Sequence, residues 1–243
     1  TLRATYNATL ILGADLTVNA GPQATAIVIQ DGKFFVNPNT DNVIVNGGID
    51  CIKVQENALE VSIASGTYTE DVQEWCADGY VSQNNGDGTW TVREADYVAE
   101  IEGGAKYESL QAAIDAAQDG QTVIVLKDIT LGYEDANDYF DPEEQYKSFF
   151  NISGKAVTVN LNENTVKAVL EGEETVMAFF STENGGDLTI KGGNLEIDTE
   201  KAVYSLLVCY TGGKLTVENG NYKLNLAADD LVYTQEDNNV VIN

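Results

Sequence analysis

One short pattern constrains the fold of this chain more than any other feature: apolar, Thr, apolar, in windows bounded by Gly, Asn or Asp. It recurs in Asp15-Leu16-Thr17-Val18, Asp128-Ile129-Thr130-Leu131, Ala156-Val157-Thr158-Val159, Asp187-Leu188-Thr189-Ile190 and Lys214-Leu215-Thr216-Val217. In an extended strand the side-chain period is two, so each window offers two apolar residues to one face and its Thr to the other. A strand this short cannot bury its apolar face alone, but stacked copies can. Thr130, Thr158, Thr189 and Thr216 are 28, 31 and 27 residues apart, the near-regular spacing of a solenoid. In the first half, steps of 18 link Thr17, Phe35 and Lys53, and also Ile44 and Ser62, which predicts a tighter repeat there. The alternative fold is an antiparallel sandwich with coincidental spacing.

Two expectations follow. Ile129, Leu131, Val157, Val159, Leu188, Ile190, Leu215 and Val217 should line one continuous core with the Thr residues outside. Putting the windows in register by Thr sets Asp187 beside Lys214 and Glu196 beside Lys223, so both pairs are opposite in sign.

Three prolines and 22 glycines among short β-branched runs indicate many brief strands and tight turns. Two stretches break that rhythm. Glu70 to Ala77 suits a short helix before Asp78-Gly79, and the Gly-rich Asn84-Asn85-Gly86-Asp87-Gly88 joins Tyr80–Gln83 to Thr89–Val92 as a hairpin, with Trp75 and Trp90 as core of this closing segment. From Ser109 to Gln118, Leu110, Ala113, Ile114 and Ala117 form a helical stripe, with Ser109 as its cap and Gly120 at its end. The following run, Thr122 to Leu126, reads as a buried strand.

The stretch from Ser109 to Val123 resembles the opening segment of right-handed parallel β-helix proteins of the pectin-lyase-like kind, in which an amphipathic helix covers the first coil. Ser65-Gly66-Thr67-Tyr68-Thr69-Glu70-Asp71-Val72, Gly79-Tyr80 and Asn85-Gly86-Asp87-Gly88-Thr89-Trp90-Thr91-Val92 look like the unit-ending segment of large repetitive surface or adhesin-like proteins of gut anaerobic bacteria. The resemblance implies an all-β fold, a right-handed parallel β-helix solenoid with a short capping helix and a β-hairpin closing segment. An ending motif here precedes an opening motif. Residues 1–98 are therefore expected to be the last coils and closing segment of one unit, and residues 99–243 the capping helix and first coils of a second. The chain opens at Thr1 without a basic leader and stops within a strand-like run, which reads as a mature product or a fragment.

Charge and composition narrow the chemistry. Thirteen Lys and Arg against 39 Asp and Glu give a net charge of −26, which argues against nucleic-acid partners. The absence of His removes imidazole bases and histidine metal ligands. Cys51, Cys76 and Cys209 are widely spaced and odd in number, so neither a disulfide framework nor a redox motif is indicated. The longest nearly apolar run, 202–210, is too short to insert in a bilayer.

The longest break in the coil rhythm, residues 132–148, sets Glu134, Asp135, Asp138, Asp141, Glu143 and Glu144 beside Tyr133, Tyr139, Phe140 and Tyr146. Insertions in solenoids project as loops and carry function. Uncompensated carboxylates suit a hard cation, so Asp135, Asp138 and Asp141 are candidate Ca²⁺ ligands. Their bland reading is a solvated acidic loop. Tyr133, Tyr139, Phe140 and Tyr146 are candidate ligand-binding residues, a stacking platform for a sugar ring, or else pins holding the loop to the coil. Lyases of this fold work on polyanions, which a −26 chain would repel, and no pair of carboxylates stands out as a hydrolase couple, so no catalytic residue is assigned.

The expectation is a non-catalytic, extracellular β-helical segment of a bacterial cell-surface protein, acting as adhesin or stalk with glycan or host-protein partners and neighbouring repeats of a longer chain. A β-helix enzyme on a neutral polysaccharide and a structural or phage fibre are the alternatives.

Overall fold

The computed structural model describes residues 1–137, 147–170, 176, 178–199, 205–209, 212–224, 230–234 and 239–242. The chain falls into two compact units, Thr1–Ala95 and Asp96–Asn243. Both are parallel β-solenoids in which each coil contributes one strand to each of three sheets.

In the first unit, coil one is β1 (Leu2–Ala4), β2 (Thr9–Leu12) and β3 (Thr17–Asn19). Coil two is β4 (Ile27–Ile29), β5 (Lys33–Val36) and β6 (Ile44–Asn46), and coil three is β7 (Ile52–Val54), β8 (Glu60–Ile63) and β9 (Thr67–Tyr68). Equivalent residues are 23 to 27 apart, as in Leu2, Ile27 and Ile52. The 18-residue repeat is therefore not the coil. Thr17, Phe35 and Lys53 lie in three different sheets, because a step of 18 advances two strands of a three-strand turn. The interior is apolar, with Ile29, Phe34, Val36, Val45, Ile63 and Tyr68 buried. Several corners turn through left-handed backbone, and Asp and Asn take most of these places, as Asp15 and Asn42 do, each with φ 54°. Their side chains stack, Asn42 Nδ2 donating to Asp15 Oδ1 at 2.7 Å.

A hairpin, β10 (Tyr80–Asn84) and β11 (Trp90–Glu94), closes this unit by pairing antiparallel with β9. Trp75, half-buried, packs on the core beside buried Val72 and Val92. Trp90 is half-buried on β11. The helix expected over Glu70–Ala77 is only a 3₁₀ turn, Gln73–Trp75. Glu70 is instead drawn inward, where its Oε1 accepts the Ile52 N–H at 2.8 Å.

The second unit begins with β12 (Ala99–Ile101) and β13 (Lys106–Tyr107), then α1 (Leu110–Ala116). Its coils are β14 (Gln121–Val125), β15 (Ile129–Leu131), β16 (Ser148–Ser153); β17 (Ala156–Asn160), β18 (Thr165–Leu170), β19 (Ala178–Glu183); β20 (Asp187–Lys191), β21 (Asn194–Thr199), β22 (Ser205–Cys209); β23 (Lys214–Glu218), β24 (Asn221–Leu224), β25 (Asp230–Thr234); and β26 (Asn239–Ile242) extends the first sheet.

Ser109 caps α1, its Oγ accepting the Ala112 N–H at 3.3 Å. The helix stops at Ala116, earlier than its stripe suggests, because Ala117 is extended. Beyond it, the Asp119 carboxylate accepts the Ala156 N–H at 2.7 Å. Gly120, φ 80°, turns the chain into β14 rather than capping the helix. Within β14 the burial alternates, Val123 and Val125 being buried while Thr122 and Ile124 are half-exposed.

The core reading holds for Val157, Val159, Leu188, Ile190, Leu215 and Val217, which share one buried cluster, with Ile129 and Leu131 half-buried against it. Register corrects one window. Thr158, Thr189 and Thr216 are stacked, but the residue stacked before them is Thr122, whereas Thr130 lies in the second sheet opposite Lys167. Asp187 does face Lys214, at 3.5 Å, and Glu196 is in register with Lys223. The first unit repeats the device, with Lys33 and Glu60 in register and 2.8 Å apart.

Candidate functional site

In the second unit, four chain connections lead from the second sheet to the third: residues 132–147, 171–177, 200–204 and 225–229. The strands of the second sheet, and those of the third, stack in register, so their facing ends line one corner of the unit, and the stretch of sequence between them is longest in the first coil. Its described part begins with a 3₁₀ turn, Tyr133–Asp135. There the Asp135 carboxylate accepts the Gly132 N–H at 2.8 Å. Lys147, at the far end of the connection, lies over the Tyr133 ring with Nζ 5.0 Å from its centroid, a cation–π contact. The same Nζ donates to the Ala136 carbonyl at 3.4 Å. Thr130, Leu131, Gly132, Tyr133, Glu134, Asp135 and Val169 line a groove of about 580 Å³ here. A smaller one of about 270 Å³ runs between α1 and Phe149 and Phe150.

Of the candidate ligand-binding aromatics, Tyr133 is placed at this corner, half-buried against the core and with one ring face under Lys147. Its packing on the core ties the start of the connection to the coil. Tyr139, Phe140 and Tyr146 lie outside the described residues, as do Asp138 and Asp141. Asp135 is exposed and holds its own turn. Among the described residues, no three His, Cys, Asp or Glu side chains converge in a way that could hold a metal.

The titrations that burial shifts sit elsewhere. Burial pushes the Tyr68 phenol up, with Cys76 and Cys51 adding to it, and pushes the Cys76 thiol up to about 11, with Asp71 adding to it. Burial likewise raises Cys209, against the lowering effect of its Thr182 hydrogen bond. A thiol pushed upward is a poor nucleophile at neutral pH, so these cysteines serve the core. Cys51 and Cys76 are free thiols, and the Cys209 sulfur accepts the Thr182 hydroxyl at 3.2 Å. No helix among the described residues is long and apolar enough to cross a membrane.

The reasoning from sequence missed Lys147, whose position at the foot of the acidic segment was the available signal: it is the first basic residue after six carboxylates. Searches of protein-family models, of curated proteins and of solved structures each found no match.

Proposed function

We propose that the chain is a non-catalytic β-helical segment of a bacterial cell-surface protein, pectin-lyase-like in architecture and related in style to the repetitive adhesins of gut anaerobes. It works as a stalk that presents one corner of loops to a glycan or a host protein outside the cell. In this reading residues 1–98 end one β-helical unit and residues 99–243 begin another. The carrying observation is the groove of about 580 Å³ at the corner where the second-sheet strands end, lined by Tyr133, Glu134 and Asp135 with Lys147 over the Tyr133 ring, at the point where the sequence between the sheets is longest and most aromatic. Solenoids put variable loops on one face, and that face is where they bind. Side chains elsewhere are spent on stacking, in ion pairs and Thr columns that keep coils in register. Ca²⁺ is the cation that the carboxylates of 132–148 would take, as an ordering ion rather than a reagent.

A glycan array probed with the whole chain, with and without calcium, tests the reading. Binding to a defined glycan is expected, reduced roughly tenfold by Tyr133→Ala, with no new reducing ends when the same glycan is incubated with the protein. Release of reducing ends would make the chain a glycan-cleaving enzyme, and no binding to any glycan or host surface would leave a purely structural fibre.

A further inference from the structure

Three sheets begin the second unit, and the leading edges of two are covered. β12 pairs antiparallel with β14, and the side-chain amide of Gln111 on α1 hydrogen-bonds both the N–H and the carbonyl of Asn151 on β16. β15 has no such cover: among the described residues it pairs with β18 alone. Alternate peptide groups of a parallel strand point to opposite sides, so part of the β15 backbone faces away from β18 with no strand to meet it. Burial changes at the same place. Ile129 and Leu131 are half-buried and Thr130 is exposed, whereas Val166 and Ala168, stacked next to Ile129 and Leu131, are fully buried.

The groove of about 270 Å³ lies along this open edge, with Ile129, Thr130 and Leu131 all in its lining. Leu110, Phe149 and Phe150, each buried in the core of the unit, give it an apolar floor. Glu108 and Asp135, both exposed, supply its charge. Each is held by a backbone N–H, that of Asp96 for Glu108 at 2.6 Å and that of Gly132 for Asp135 at 2.8 Å. No Lys or Arg is among the described lining residues.

We propose that the β15 edge takes a short extended peptide of a partner protein as an added strand, one with apolar residues at alternate positions and Lys or Arg flanking them. A sheet edge asks for an extended main chain, because only a strand matches the spacing of its peptide groups, while pockets beside the edge choose alternate side chains. Residues i and i+2 of the incoming strand stack on Ile129 and Leu131 and enter the groove over Leu110, Phe149 and Phe150. The flanking cations meet Glu108 and Asp135. Charge complementarity selects this occupant over a second copy or an acidic segment, since a chain of net charge −26 repels both. The edge adjoins the corner at Tyr133, but its partner is a peptide main chain, so the inference stands whether or not that corner holds a glycan.

The test titrates the blocked peptide acetyl-Lys-Val-Thr-Val-Lys-amide into the whole chain by calorimetry, with amide hydrogen exchange over β15 read by mass spectrometry. A dissociation constant on the order of 100 µM is expected, together with slower exchange at β15. Glu108→Gln combined with Asp135→Asn should weaken binding roughly tenfold, since the amides keep the oxygens that accept the Asp96 and Gly132 N–H groups and lose only the charge. Circular dichroism matched to the parent shows that this variant is folded. Two further peptides need no change in the protein: acetyl-Glu-Val-Thr-Val-Glu-amide should not bind, and acetyl-Lys-Val-Pro-Val-Lys-amide, with the same charge but no central N–H, should leave β15 unprotected. No binding at millimolar peptide, binding without protection of β15, or equal binding of the proline peptide overturns the proposal.

Discussion

Glu70 shows how one side chain can serve the fold and cost it stability at once. Its carboxylate accepts the Ile52 N–H on a third-coil strand, where the stack ends and a backbone donor needs a partner. Its pKa is raised, first by burial and then by Asp50 nearby, against the lowering effect of the Ile52 and Cys51 N–H groups. A carboxyl whose folded pKa lies above its unfolded value lends stability below the ordinary carboxylate range and withdraws it as pH rises through the folded pKa. Glutamine keeps the accepting oxygen without the charge. Glu70→Gln should therefore raise the melting temperature at pH 7 and leave it nearly unchanged at pH 4. An equal effect at both values would show that the hydrogen bond, not the charge, carries the difference.

At the scale of the element, α1 works by imitating a strand. β16 begins the third sheet of its unit, and the Gln111 side chain meets its edge with both ends of its amide: Oε1 accepts the Asn151 N–H at 2.9 Å and Nε2 donates to the Asn151 carbonyl at 3.1 Å. Lys155 fixes the other end of the helix, donating to the carbonyls of Ile114, Asp115 and Ala117 at 2.7 to 2.8 Å, where a cation complements the helix dipole. Gln111→Ala should cost about 1 to 2 kcal/mol in chemical denaturation, since two neutral hydrogen bonds are lost at a partly buried edge. Gln111→Glu should cost at least as much, because a carboxylate cannot donate to the carbonyl. The helix was legible from Leu110, Ala113 and Ile114, whose stripe faces the core. The role of Gln111 was not, since nothing local marks a glutamine that mates with residue 151. The same limit explains the misplaced window at Thr130. Three strands per coil share one apolar-x-apolar grammar, so sequence shows that a strand exists but not which sheet holds it. The segment 132–147 lengthens its coil and moves the stacked partner of Thr158 back to Thr122, 36 residues away. The charge columns were readable because coils two to four of that unit carry shorter insertions, and Asp187 and Lys214 are 27 residues apart. A double-mutant cycle on that exposed pair should show about 0.2 to 1 kcal/mol of coupling, and Asp187→Lys with Lys214→Asp should recover most of what either change loses. Zero coupling would mean that the pair only decorates a register set by the core.

For the whole molecule, the stacking that makes each unit stable also sets how far a defect spreads. In a solenoid each coil contacts only its neighbours, so stability is close to a sum of coil terms and interfaces between adjacent coils. The contacts of this chain divide between Ala95 and Asp96, and each side has its own buried cluster, one around Ile29 and Phe34, the other around Leu188 and Phe180. Caps stand at the close of the first cluster and the start of the second, Trp75 with the β10–β11 hairpin and α1 with β12 and β13. Leu188 is fully buried in the third coil of its unit, and Ile29 in the middle coil of its own. Truncating either to Ala should cost about 2 to 5 kcal/mol, the lost transfer free energy plus the cavity left between coils that cannot collapse without breaking register. Calorimetry should resolve two unfolding transitions, Leu188→Ala lowering one and Ile29→Ala the other, each leaving its companion within about 1 °C. If both transitions moved together in either variant, the boundary at residue 95 would join a single cooperative stack, and the two sets of caps would have to be read as internal coils.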